Sequence, residues 1–226
     1  MKEQYFGDIR DFIKYALLRE FALSGVKVGV CWLMTEDDAS TDGNKNAYLT
    51  DTRYRDIDPE LFSALRILTP LRGIQRLRAF EEADLIRGAT YQTEIVPASP
   101  AERASYFEKT RESFADRDLV FFDPDNGLTP PSTKQHSVKH VTTDECSEFP
   151  SSKLVYQHRP RFEKNSDTIQ RMLRSFPNQH VSTLSEPDVT FCLASQNSQL
   201  SSHLERFAAK WQQAGLTPSV SFCQIS

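Results

Sequence analysis

The chain of 226 residues lacks several familiar features, and each absence excludes a class of protein. No apolar run approaches the length that crosses a bilayer, so no membrane partner is expected. The opening stretch MKEQYFGDIRDF has no apolar segment of the kind that marks a secretory signal. Cys31, Cys146, Cys192 and Cys223 are scattered, with no CxxC and no Cys/His pair at zinc spacing. Cys31, Cys192 and Cys223 lie in apolar segments, where cysteine behaves as a small buried hydrophobe, and a reducing, cytoplasmic setting is expected. Positive charge is not in excess: the net charge is −4, so any nucleic-acid contact must come from a local patch. P-loop, GxGxxG, GxSxG and HExxH signatures are all missing. So are internal repeats, low-complexity tracts and dividing linkers, and residues 1–226 are expected to form one domain.

What is present is an α/β pattern. Asp8 to Leu23 carries Ile9, Phe12, Ile13, Ala16 and Leu17 at helical spacing, with Gly25 as the stop. Val26 to Met34 is a nearly continuous apolar run, as expected of a strand covered on both faces in a parallel sheet. Asp58-Pro59 and Thr69-Pro70 each predict a helix start, and Ser99-Pro100-Ala101-Glu102 predicts a capping box. Tyr91 to Val96, Leu119 to Phe122, Lys153 to His158, His180 to Leu184, Val189 to Ala194 and Ser219 to Ile225 are strand candidates. Ser166 to Phe176 and the stripe Leu200, Leu204, Phe207, Trp211, Ala214 are helical. Strands alternating with helices predict a single three-layer, Rossmann-like α/β domain with a mostly parallel sheet.

Four polar segments can carry chemistry. They are Gly7-Asp8 with Asp11 and Lys14, the acidic loop Thr35 to Asn44, the turn Asp123-Pro124-Asp125-Asn126-Gly127, and Gln157-His158-Arg159. If their strands are parallel, the last three share the carboxyl rim of the sheet, where ligands of open α/β sheets collect. Plainer roles stand beside each. Asp8 and Asp11 can serve the helix macrodipole, the turn residues suit an ordinary bend or a tight Asn-Gly hairpin, and His158 can be a half-buried strand-end histidine. Arg159 and Arg161 next to His158 make a local cationic point suited to phosphate. Local sequence leaves site and bend both open at Asp123 to Gly127.

Gly7-Asp8-Ile9-Arg10-Asp11-Phe12-Ile13-Lys14-Tyr15 resembles the GN-x-x-D-x-x-KH opening of J-type ribosomal RNA adenine-N6 methyltransferases. Asp123-Pro124-Asp125-Asn126 stands where those enzymes carry Asp-Pro-Pro-Tyr, and Tyr156-Gln157-His158 falls on the next strand. The chain also resembles, over most of its length, a bacterial and phage group with GDxxDFxKY, FFDPDNGL and YQHxxR segments, to which no activity is attached. The methyltransferase resemblance implies a Rossmann-like fold with S-adenosylmethionine on the carboxyl rim. Lys14, Asp42, Gly43 and Asn44 would face the donor. Asp123, with Asp125, Asn126 and His158, would form the reacting site, and Asp8, Asp11, Arg159 and Arg161 would hold a nucleic acid or nucleotide. Two departures stand out: only Gly43 is available to a donor loop that needs glycine, and Asn126 replaces the aromatic that stacks on the base.

The same departures suit a second enzyme class. Asp123, Asp125 and Asn126, with Asp8, Asp11 or Asp42, offer hard oxygen ligands for Mg²⁺ or Mn²⁺, and His158 and Arg159 could then act on phosphate in a nuclease or nucleotide phosphohydrolase. A third expectation is a non-catalytic, phage-related module that binds a nucleotide or a protein. On the site hypothesis, Asp123→Ala abolishes activity and leaves the thermal midpoint nearly unchanged.

Overall fold

The computed structural model describes residues 1–37, 45–71, 75–129, 137–159, 163–186 and 188–223. A short 3-10 turn, Glu3–Tyr5, leads into α1 (Ile9–Leu23) and β1 (Val28–Cys31). A second such turn (Ala47–Thr50), α2 (Thr52–Ile57), α3 (Pro59–Leu68) and α4 (Gln75–Glu82) precede β2 (Thr90–Gln92). Then come α5 (Pro100–Ser113), β3 (Leu119–Phe122), β4 (Gly127–Leu128), β5 (His140–Val141), α6 (Thr143–Ser147) and β6 (Ser152–His158). The chain continues through α7 (Asn165–Leu173), β7 (His180–Ser185), β8 (Val189–Ser195), α8 (Ser201–Gln213) and β9 (Ser219–Cys223).

Seven strands form one mixed sheet in the order β2-β1-β3-β6-β8-β7-β9. The β1–β2, β1–β3 and β3–β6 pairs are parallel, and the β6–β8, β7–β8 and β7–β9 pairs are antiparallel. Five strands therefore point one way, and β8 and β9 are reversed. Strand residues alternate between two apolar clusters. Val28, Val30, Trp32, Leu119, Phe121 and Leu154 pack with α1, α3, α4 and α8; Cys31, Val120, Phe122 and Val155 pack with α5, α6 and α7. A fully buried Leu or Phe at such a position contributes roughly 1.5–3 kcal/mol. Burial on both faces is why β1 and β3 read as unbroken apolar runs.

Several local signals behave as expected. Asp8 caps α1, its Oδ1 accepting from the Arg10 and Asp11 N–H groups at 2.8 and 3.1 Å. Asp58 caps α3 through Leu61 N–H at 3.0 Å, with Pro59 in the first turn. Other signals give way. Thr69 ends α3 instead of starting a helix, and the described part of the next helix begins at Gln75. Ser99 precedes α5 without a side-chain cap bond; a capping box forms instead at Thr142 and Glu145 of α6. Asn126-Gly127 makes no hairpin, because β4 pairs in parallel with the distant β5.

Candidate functional site

With β1, β3 and β6 parallel, their carboxyl ends lie on one rim, and α1 closes over it. Asp8, Asp11 and Lys14 recur at three-residue spacing, so the first turns of α1 present all three toward that rim. The Lys14 Nζ donates to Asp123 Oδ2 and pairs with Asp11 Oδ1, each at 2.8 Å, and lies 4.8 Å from the Tyr156 ring centroid. All three charged groups are buried. Burial alone would push the Lys14 ammonium down, but Asp11 and Asp123 outweigh it and hold it well above the ordinary lysine value. Burial raises the Asp123 carboxyl above its usual range, with Lys14 and the Met1 ammonium opposing. Asp8 is pushed up to about 6, first by burial and then by Asp11.

The turn itself is built rigidly. The Met1 amino group donates to the Trp32 and Leu33 carbonyls at 3.0 Å and to the Asp123 carbonyl at 2.9 Å, and pairs with Asp125 Oδ1 at 3.3 Å. Thr35 Oγ1 donates to Asp125 Oδ2 at 2.7 Å, tying the end of β1 to the turn. Gln157 braces it from β6: its Nε2 donates to the Asn126 carbonyl at 2.8 Å and its Oε1 accepts from Leu128 N–H at 3.1 Å. Gly127 has φ +99°, and a Cβ there would meet the Gln157 carboxamide at 2.4 Å. Only glycine meets both demands. Gly127→Ala is expected to destabilise the fold by about 2 kcal/mol or more, read as a lower denaturant midpoint in equilibrium unfolding.

Gly7 plays a matching part at the start of α1. It has φ +83°, its N–H donates to Asp11 Oδ2 at 2.9 Å, and a Cβ would meet Thr69 Oγ1 at 2.3 Å. The glycine thus fixes one Asp11 oxygen on the backbone and leaves the other for Lys14. Just outside this cluster Glu3 is buried, with Arg76 Nε 3.6 Å from its carboxyl. Burial pushes its carboxyl up to about 7, against the pull of Arg76. A carboxyl raised on folding holds its proton more tightly in the folded state, so its stabilising share is complete below about 4.5 and is lost as pH rises toward about 7. Glu3→Gln is therefore expected to melt above the wild type at pH about 8, with the gap closing as pH falls below about 5. Thermal melts across that range check the sign.

The structure gathers Asp8, Asp11, Lys14, Asp123 and Asp125 into one cluster. His158 and Arg159 end β6 beside it, next to Arg10 of α1. His158 is half-buried and its pKa is lowered by burial, then by Arg10, with Asp188 opposing. Asn126 is exposed, and its backbone N–H donates to the Lys139 carbonyl at 2.8 Å. Asp42, Gly43, Asn44 and Arg161 lie outside the described residues. Asp123→Ala also acquires a different expectation: it would strip the buried Lys14 ammonium of one of two partners, so a stability loss accompanies any loss of activity.

Arg10, Lys45 and Asp188 join the rim without having been singled out for it by sequence, whereas Thr35 opens the loop that was. Arg10 carries a usable signal, since it lies one turn before Lys14 on the same helix. Asp188 carries none, because it arrives from the connection between β7 and β8, whose antiparallel insertion local sequence does not encode. Chemically, the cluster sets the carboxylates of Asp8, Asp11, Asp123 and Asp125 against the Lys14 and Met1 ammonium groups, a formal surplus of negative charge. It can receive a cationic ligand and accept hydrogen bonds from an amine. Among the described residues no three His, Cys, Asp or Glu side chains gather as a metal-ligand group. Between Asp11 and Asp123 the Lys14 ammonium takes the position a metal would need. No family model matches the chain, and neither does any curated protein.

Proposed function

We propose that the chain is a single three-layer, Rossmann-like domain that transfers a methyl group from S-adenosylmethionine to an amine of a nucleic-acid base or nucleotide. The observation that carries this reading is the convergence of Asp11, Lys14 and Asp123 at 2.8 Å contacts on the carboxyl rim of β3. The negative surplus suits a donor that carries both a sulfonium and an ammonium charge, and residues 35–44 follow the strand from which that donor would be held. S-adenosylmethionine supplies the electrophilic methyl group when bound. The chain's own residues do the rest. Lys14 neutralises Asp11 and occupies Oδ2 of Asp123; the other Asp123 oxygen then accepts from the exocyclic amine of an extruded base. Thr35, Gln157 and Gly127 keep the turn fixed while the acceptor binds.

Calorimetry on the full chain tests this reading against the two alternatives. Micromolar affinity for S-adenosylmethionine in metal-free buffer is expected. Nucleotide binding that requires Mg²⁺ or Mn²⁺ would instead favour a phosphohydrolase, and silence toward both ligands would leave a non-catalytic binding module.

A further inference from the structure

Beside the buried cluster lies a second, solvent-facing one of opposite sign. Arg10, Lys45 and Arg159 come from α1, from the segment after the acidic loop and from the end of β6. All three point at Asp188: Arg10 Nη2 lies 3.3 Å from its carboxylate, Lys45 Nζ 3.9 Å and an Arg159 Nη2 3.8 Å. The Arg159 N–H also donates to the Asp188 carbonyl at 3.0 Å, which fixes the carboxylate at the rim. Among the described residues, these three cations against one anion leave a formal local charge of +2, in a chain whose net charge is −4. His158 adds no full charge at neutral pH, since burial and these same cations lower its pKa.

The contacts are loose. Elsewhere in this chain arginine closes on carboxylate at 2.6 Å, as in Arg19–Asp58 and Arg103–Glu145. Among the described residues only Arg10 comes within hydrogen-bond range of the Asp188 carboxylate, and it does so with a single nitrogen. The Asp188 carboxylate leaves Lys45 and the Arg159 guanidinium at 3.9 and 3.8 Å, beyond hydrogen-bond range. A tetrahedral phosphate, with more oxygens spread in space, suits such a set of cations, and guanidinium forks bind it well.

We propose that Arg10, Lys45 and Arg159 form a subsite for the phosphates of a single-stranded nucleic-acid backbone, with Asp188 as an internal anion that the phosphate displaces. Arg10 precedes Lys14 by one helical turn, about 6 Å along the axis, so a strand held here passes directly over the Asp123 turn. The assignment rests on the nucleic-acid half of the proposed function and not on methyl transfer. It narrows the substrate from any amine-bearing nucleotide to a polynucleotide.

The test is fluorescence anisotropy with a labelled single-stranded RNA of about 12 nucleotides, in salt from about 50 to 200 mM. Arg10→Gln/Arg159→Gln is expected to weaken binding about tenfold or more and to flatten the log–log salt slope by about 1. Asp188→Asn, which removes the competing charge, is expected to tighten binding about threefold or more at the low-salt end. Equal binding by wild type and double variant, weaker binding by Asp188→Asn, or no binding by wild type each overturns the proposal. So does competition by a mononucleotide or inorganic phosphate that matches RNA per phosphate, which would make this a free-phosphate site. If the double variant melts early, the exposed Lys45→Gln carries the test; about threefold weaker binding is expected and unchanged binding overturns it. Labelled methyl transfer is measured in parallel. RNA binding that responds to these variants without any methyl transfer sinks the methyltransferase reading alone, whereas transfer with unresponsive binding sinks the phosphate subsite alone.

Discussion

Lys14→Met is expected to cost about 3–5 kcal/mol of folding stability, the penalty for leaving buried carboxylates without their counter-charge. Methionine preserves the length and much of the volume of the lysine stem, so the loss isolates the charge and its two 2.8 Å contacts. For a chain of this size the melting midpoint should fall by about 10 °C or more. Asp11 and Asp123 would then face each other inside the protein. The Tyr156 ring, 4.8 Å from the lost ammonium, offers them nothing in exchange. The double variant Lys14→Met/Asp123→Asn should recover part of the loss, because replacing both members of a buried pair leaves less uncompensated charge than removing one. A double variant that melts below Lys14→Met alone would show that the pair is not the source of the penalty.

Asp123→Asn is expected to lower kcat/KM for methyl transfer by about 100-fold or more, on the scale of losing one aligned polar group at a reacting centre. The carboxamide fills the same space, so Pro124, Asp125 and the Gln157 brace stay in place. Lys14 will claim its one carbonyl oxygen, as it now claims Oδ2. That leaves an NH₂ group facing the acceptor amine, donor against donor, which binds worse than no contact at all. S-adenosylmethionine affinity should change much less than turnover. A variant with wild-type turnover would remove Asp123 from the reaction and return the turn to a purely structural role.

Much of the sheet is legible in the sequence. The unbroken apolar runs of β1 and β3 announce strands buried on both faces, and the polar segments after them fall on one rim because those strands are parallel. The spacing of Asp8, Asp11 and Lys14 on a helix is equally direct. What sequence does not reveal is where the lysine goes. Helical spacing sets Asp11 beside Lys14, but only the packing of α1 across the rim brings Asp123 to the same ammonium. Position 188 is illegible for a different reason: β8 inserts antiparallel between β6 and β7, so its connection reaches Arg10 and Arg159 from strands remote in sequence. Ser99-Pro100 marks the start of α5 as expected and lacks only the side-chain cap bond, whereas Thr69 fails as a helix-start signal because it caps the C-terminus of α3.

The buried triad of Asp11, Lys14 and Asp123 is the centre of this account, and labelled methyl transfer tests it most directly. Purified chain is incubated with S-adenosylmethionine carrying a labelled methyl group and with single-stranded RNA, in metal-free buffer. Incorporation into RNA by the wild type, lost in Asp123→Asn at equal fold content, is the result predicted. No incorporation by the wild type, or equal incorporation by Asp123→Asn, contradicts it.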